Sequence, residues 1–476
     1  MEAGAAAEEK KAVEPVAPQN ADEEAEGVSA AEKKRLKKLR QKQKKESEAP
    51  AQSEALPTDG AASAAVPVTA AAAAPSLTPK TEADEDQEEA GDDAHAGEAK
   101  KKKKNKKKKT APLPSVPLSK QFPTLQFPMG RIEEYSGDAR RPITEEARER
   151  DRLNEGMLND LRKAAEAHRQ VRRWARATCR PGVKLFEFVE TLENSIRTII
   201  ESQGLSHIEA GIAFPTGVSL NHVAAHFTPN PGDENVTVGE GDVIKIDIGT
   251  HVHGRIVDSA FSMSFNPELD PLVEASREAT NTGVRLAGPD ALLRDIGAEI
   301  EEVIKSYEVT VGGKTFQCKP IRNLNGHLLG PYTIHAGKSV PIAAESGDTT
   351  TRMEEGELYA IETFASTGRG LVVDDGECSH YMMAPNPSLA NIRNPKARHL
   401  LAHIQQNYET LAFCNRWLDT AGETRHQLQL RALIEARAVN PYPPLVDTRG
   451  SYVSQHEQTF LLRPTCKEII SAGDDY

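Results

Sequence analysis

Aromatic residues make up only 5% of this 476-residue chain, and residues 1–110 have no Phe, Trp or Tyr at all; the first aromatic is Phe122. A segment so poor in aromatics and so rich in Ala, Glu, Lys and Pro cannot bury enough apolar surface to offset its chain entropy. Residues 1–110 therefore read as a disordered charged tail. Cysteine is also sparse. Cys179, Cys318, Cys378, Cys414 and Cys466 are far apart, odd in number and without a C-x-x-C pair. That argues against a disulfide framework or a thiolate zinc site, and for a reducing compartment. No apolar run is long enough to span a membrane; the stretch 61–76 is mostly alanine and is broken by Pro67 and Pro75. The first thirty residues are charged and lack the apolar core of a secretory signal. G-x-x-x-x-G-K-[ST], a post-strand G-x-G-x-x-G, H-E-x-x-H and G-x-S-x-G are all missing, which argues against P-loop, dinucleotide, zincin and serine-hydrolase chemistry.

What is present divides by charge. The formal net charge is −12, but residues 1–110 hold 21 Lys and Arg against 22 Asp and Glu, so nearly all of the excess lies in 111–476. An acidic chain is a poor candidate for uniform or specific duplex DNA binding. Inside the tail the charges are blocked: Lys33 to Lys45 basic, Glu82 to Glu98 acidic, then Lys100–Lys104 and Lys106–Lys109. Polylysine neutralises phosphates without reading sequence, so the blocks suit RNA or ribosome contact as well as a solubilising or import-like role.

Beyond the tail, Thr144 is placed to cap a long helix through about Ala177. A second helix carries Leu185, Val189, Leu192, Ile196 and Ile199 on one face. The period then changes. Val243 to Gly249 and Arg255 to Phe265 read as an antiparallel hairpin turning at His251 to Gly254. Helices are expected at about 271–286 and 290–306, a helical segment at 395–438, and a last strand pair across Ser451–Leu462.

An internal repeat organises the rest. Leu185, Val189, Leu192 and Ile196 have counterparts in Leu292, Ile296, Ile300 and Ile304. Each helix is followed by a histidine among small residues, His226 and His327. Each half then opens a strand with Gly-acid: Glu240-Gly241-Asp242 leads to Asp247, and Glu355-Gly356-Glu357 leads to Glu362. Two pseudo-symmetric halves with a site between them are implied.

Asp247, Asp258, Glu362 and Glu457 sit where strands should be apolar. One such acid is usually a hydrogen-bonded structural residue; four near histidines point to metal, because a buried carboxylate is costly unless paired or ligating. Asp247 and Asp258, eleven positions apart, are expected to face each other across the hairpin. Two divalent ions would balance four carboxylates, and one imidazole adds a neutral ligand; such a set suits Mn, Co, Fe or Zn in a hydrolytic role.

The motifs Phe214-Pro-Thr-Gly, Ala224-Ala-His226, Lys245-Ile-Asp247-Ile-Gly-Thr, Gly254-Arg-Ile-Val-Asp258, Asn323-Leu-Asn-Gly-His327, Ile334-His335-Ala-Gly-Lys, Tyr359-Ala-Ile-Glu362-Thr-Phe and Asn440-Pro-Tyr442-Pro-Pro together resemble the type 2 methionine aminopeptidases, over about 110–476. The resemblance implies an α/β (α+β) pita-bread fold in 111–476 with a helical subdomain inserted at 380–440. It implies Asp247, Asp258, His327, Glu362 and Glu457 as ligands of two divalent ions, with Asp258 and Glu457 bridging. His226, His335 and Glu362 would be catalytic, and a metal-bridged hydroxide would attack. Phe214, Ile334, His380, Ala412 and Tyr442, with His226 and His335, would hold the substrate. The activity implied is cytoplasmic removal of the initiator methionine from nascent chains whose second residue is small and uncharged. The polybasic tail would aid contact with the ribosome or initiation machinery, and no membrane partner is implied. A catalytically silent pita-bread protein that binds RNA, and a proline-specific peptidase such as prolidase, are the competing readings. His456 should point away from the metal by strand alternation.

Overall fold

The computed structural model describes residues 111–135, 139–201, 208–344, 350–423 and 425–475; the tail reading for 1–110 lies outside them. Thr144 Oγ1 accepts a hydrogen bond from Ala147 N at 3.1 Å, but the helix it caps, Glu145–Leu153, stops at Asn154. A separate helix, α1 (Glu155–Thr178), continues the path. The expected single helix is thus two. Arg and Glu dominate the first, whereas Leu158, Leu161, Ala164, Ala165 and Val171 give the second a buried face. Helix α2 (Leu185–Ile199) buries the predicted stripe together with Phe188 and, unexpectedly, Glu193.

The first half is a three-stranded sheet of β1 (Ala210–Leu220), β2 (Val243–Val252) and β3 (Arg255–Ser264), in the order β1-β2-β3. Its hairpin turns at His253 (φ +47) and Gly254 (φ +73), the paired positive φ of a two-residue turn whose twist matches the strands. Helix α1 lies on β2 and β3. In the second half, α3 (Asp270–Leu286) and α4 (Leu293–Lys305) take the same part over a seven-stranded sheet. Its central strands are β4 (Asn325–Leu329), β5 (Leu358–Ser366) and β6 (Val453–Leu462). The last of these corrects the expected strand pair across Ser451–Leu462. It is one ten-residue strand, with β5 on one side and the short strand Lys467–Ile469 on the other. Six consecutive polar residues, Ser454 to Thr459, run through it and are buried on both faces; they look like a break between two strands although they hold no Gly or Pro turn signal.

The segment 395–438 contains the helices Pro395–Asn407, Asn415–Thr420 and Gln427–Glu435. It also contains the strand Ala412–Cys414, too short to show a period. That strand pairs with His380–Met383, whose other edge pairs with Val439–Tyr442.

The two halves meet where β3 runs beside β6, through side chains rather than a backbone ladder. Ser259 Oγ donates to Glu457 O at 2.7 Å, and Ser262 Oγ donates to Gln455 O at 2.8 Å. Thr459 Oγ1 accepts from Asp258 N at 2.9 Å and donates to Asp258 O at 2.5 Å. This junction brings the acidic residues of the two sheets together.

Candidate metal centre and substrate cavity

Asp247 is the fifth residue of β2, and Glu362 is the fifth of β5, as the repeat requires. Glu362 pairs directly with Glu457 across β5 and β6. Asp247 does not pair with Asp258, contrary to expectation: its partner is Ala260, and Asp258 faces Gly249. The turn at His253-Gly254 fixes a register two residues away from the one assumed. Because a two-residue offset preserves the face, the two aspartates remain diagonal neighbours on one side of the hairpin. Asp258, His327 and Glu457 are buried, and one ligand atom of each lies within 4.8 Å of the others. His327 Nε2 is 3.8 Å from Asp258 Oδ2. Gly326 explains how β4 comes so close, since a Cβ there would meet Ala360 O at 2.8 Å.

The electrostatics of this cluster are unfavourable for the chain alone. Burial, then the charges of Asp247 and Glu362, pushes the Asp258 carboxyl far above its ordinary range. Burial, then Asp258, Glu362 and Asp247, does the same to Glu457; burial and then Asp247 raise Glu362. Burial lifts Asp247 to about 6. Burial holds His327 neutral, with a pKa lowered to about 3, which keeps an imidazole lone pair available as a ligand. Buried Asp247 Oδ1 and Asp258 Oδ1 have no hydrogen-bond donor. Four carboxylates, two orphaned oxygens and a neutral imidazole fit a divalent-cation site of hard donors.

All twelve residues singled out from the sequence line one cavity of about 700 Å³, including space open to solvent. Phe214, Ile334 and Ala412 belong to a small apolar cluster on its wall. Gly249 makes room for the ring of Phe214, which a Cβ there would overlap. The rings of His327 and His335 lie 4.4 Å apart at 72°; His226 lies 5.9 Å from His380 and 6.0 Å from Tyr442, edge-on to the latter. Burial, helped by the neighbouring His380 and His335, lowers the pKa of His226 to about 3, and burial lowers that of His335. His380 donates from Nε2 to Pro215 O at 3.1 Å, with its Nδ1 3.0 Å from Ser379 Oγ. His456 faces the opposite way, its Nδ1 2.8 Å from Ser276 Oγ on α3, as strand alternation predicts.

Gln455 escaped the sequence reading. Its Nε2 donates to Asp247 Oδ2 and to Glu362 Oε2, both at 3.2 Å, tying an acid of each half together. Its position two before Glu457 on the same strand face was the signal that could have found it.

Residues 159–385 match the family model of metallopeptidase family M24. Methionine aminopeptidase 2A of Arabidopsis thaliana is 54% identical over 364 residues, covering 76% of this chain and 81% of the relative. Methionine aminopeptidase 2 of Dictyostelium discoideum is 53% identical, over 76% of this chain and 82% of its own. The chain belongs to the type 2 methionine aminopeptidases. It is a methionyl aminopeptidase, a hydrolase of the divalent-metal-using M24 family with the pita-bread fold. In fold it also resembles a solved structure of a thermophilic Arx1, with a TM-score of 0.59 at 16% identity over 70% of this chain and 93% of that one. Among the described residues no helix is long and apolar enough to cross a membrane.

Proposed function

We propose that this aminopeptidase removes the initiator methionine from nascent chains with a small, uncharged second residue. In this reading Asp247, Asp258, His327, Glu362 and Glu457 would hold two divalent ions. The observation that supports it is the meeting, in one cavity, of four mutually repelling carboxylates, two buried and two half-buried, with an apolar wall of Phe214, Ile334 and Ala412.

The methionine side chain lies against Phe214, Ile334 and Ala412, with His380 and Tyr442 closing the pocket. Neutral His226 and His335, between that wall and the carboxylates, can each donate one hydrogen bond to the scissile carbonyl region and accept another. Such two-way partners suit a centre whose charge changes during reaction. Glu362, on the carboxylate side of the cavity, would take a proton from the attacking water and return it to the leaving amine. The ions, when bound, supply Lewis acidity at the carbonyl and lower the pKa of the attacking water. Residues 111–476 form the peptidase domain of this reading, with 380–440 inserted in it to help wall the pocket. The tail 1–110 serves ribosome or initiation-machinery contact, and the protein works in the cytoplasm.

The test assays Met-Gly and Xaa-Pro peptides side by side with added Mn or Co. Methionine release with no Xaa-Pro cleavage is expected, together with a stoichiometry of two ions that falls in Glu457→Gln. Absence of methionine release, or preference for Xaa-Pro, would refute the reading.

A further inference from the structure

Glu193 is a carboxylate on the apolar face of α2, and it is 1% exposed. Its Oε1 accepts from Thr216 N at 3.1 Å and from Arg416 Nη2 at 3.0 Å. Its Oε2 accepts from Arg416 Nη1 at 3.2 Å and from Trp417 Nε1 at 2.7 Å. Arg416, itself 3% exposed, spends its other donors on Pro229 O at 2.9 Å and Thr228 Oγ1 at 3.0 Å. A buried ion pair is a poor source of stability, since an apolar pair of equal volume often does as well. An apolar pair cannot hold three separate backbone segments by directed hydrogen bonds.

Those three segments are the walls of the cavity. Thr216 follows Phe214 and Pro215 on β1, and Pro215 O is the acceptor for His380. Thr228 lies two residues after His226, and its N–H donates to Ser379 Oγ at 3.3 Å; that Oγ lies 3.3 Å from His226 O. His226 has φ +63, a left-handed conformation that a histidine keeps only where its surroundings enforce it. Arg416 itself follows the strand Ala412–Cys414, which carries Ala412 into the pocket and pairs with His380.

We propose that the Glu193–Arg416 pair is a positioning device that sets the width of the methionine pocket. It joins the Phe214 strand, the segment after His226 and the Ala412 strand into one frame. This rests on the reading that the cavity receives a methionine side chain. Neither residue lines the cavity; both act through Thr216, Thr228 and Ser379. Specificity for an unbranched thioether over a branched or shorter chain then depends on a salt bridge behind the wall.

The test compares wild type with Glu193→Gln, which keeps the shape but removes the charge, and Thr228→Val, which removes only the bond from Arg416 Nη2 to the segment after His226. Steady-state kinetics are measured on Met-Gly and Leu-Gly peptides, and Mn binding by calorimetry. For Glu193→Gln, KM for the methionine peptide is expected to rise about tenfold, and the Met-over-Leu ratio of kcat/KM to narrow by about tenfold. Mn affinity should stay within about twofold, because no ligand belongs to the frame. Thr228→Val should move KM the same way by about threefold, and it decides the matter alone if Glu193→Gln does not fold. Lowered melting temperature with unchanged KM and selectivity would overturn the inference, leaving the pair a structural element only. Failure of the wild type to release methionine would instead sink the reading of the cavity, and this inference with it, before any substitution is compared.

Discussion

At the scale of single residues, the acidic cluster can stay fully ionised only with a counter-charge, and Gln455 shows how the chain prepares for one. A neutral amide donating to Asp247 and Glu362 fixes two carboxylates from opposite halves without adding a charge that would compete with a cation. Replacing Gln455 by Ala is expected to weaken Mn binding about 10- to 100-fold while leaving the fold intact, as outer partners of metal ligands commonly do. Calorimetric titration with a circular-dichroism melt would check it, and unaltered affinity would count against the role. The acidic residues of the cluster were legible because a carboxylate inside a β-branched run contradicts its surroundings. Gln455 was not, because a neutral amide in a strand contradicts nothing.

A second residue-scale consequence concerns pH. His168 is fully buried, with Nε2 3.1 Å from Ser259 O, and burial followed by the Arg172 charge lowers its pKa to about 3. The unfolded chain, with an ordinary histidine pKa of about 6.5, binds the proton that the folded chain refuses. Its contribution is therefore complete above about pH 6.5 and is lost as pH falls toward 3. The slope is at most about 1.4 kcal/mol per pH unit for one such group. Urea midpoints at pH 7, 6 and 5 should fall more steeply for wild type than for His168→Gln. Parallel slopes would show that His168 is not a source of the acid sensitivity.

At the scale of elements, periodicity located the amphipathic helices and the hairpin because one face of each is polar or β-branched. It failed where that contrast vanishes. The helix start at Thr144 was visible from its cap, but the break at Asn154 was not, since neither side of it carries a Pro or an adjacent turn motif. Strand β6 looked like a pair because both of its faces are buried and both carry polar groups. The register of β2 against β3 depended on which two residues make the turn, and that is set by backbone twist rather than by composition. The junction between β3 and β6 follows from these strands and can be tested. Thr459→Val leaves Asp258 N and O without the hydroxyl that serves both. The cost should be about 1–3 kcal/mol for buried unsatisfied backbone groups. Metal affinity should fall as well, since Asp258 and Glu457 approach each other across this seam. A denaturant titration and a metal titration would measure the two effects. Loss of stability without loss of affinity would mean that the seam supports the sheets but not the site.

At the scale of the whole molecule, the charge that first argued against nucleic-acid partners has two origins. The acidic excess falls in 111–476, where part of it is the carboxylate cluster that cations would neutralise. The near-neutral sum of 1–110 hides eight lysines within Lys101–Lys109. On the proposed function, a peptidase acting on nascent N-termini gains from being held where chains emerge, and clustered lysines bind phosphate backbones through counterion release, with a steep dependence on salt. Deleting 1–110 should therefore leave Met-Gly turnover unchanged, because among the described residues those that line the cavity all lie within 214–457. The same deletion should abolish a cosedimentation with ribosomes that in the full chain weakens as salt rises. Replacing the lysines of 101–109 by Gln should reduce cosedimentation and flatten its salt dependence, by about one unit of log–log slope for each phosphate that is no longer neutralised. Cosedimentation that survives the deletion would place ribosome contact on the peptidase domain and remove this role from the tail.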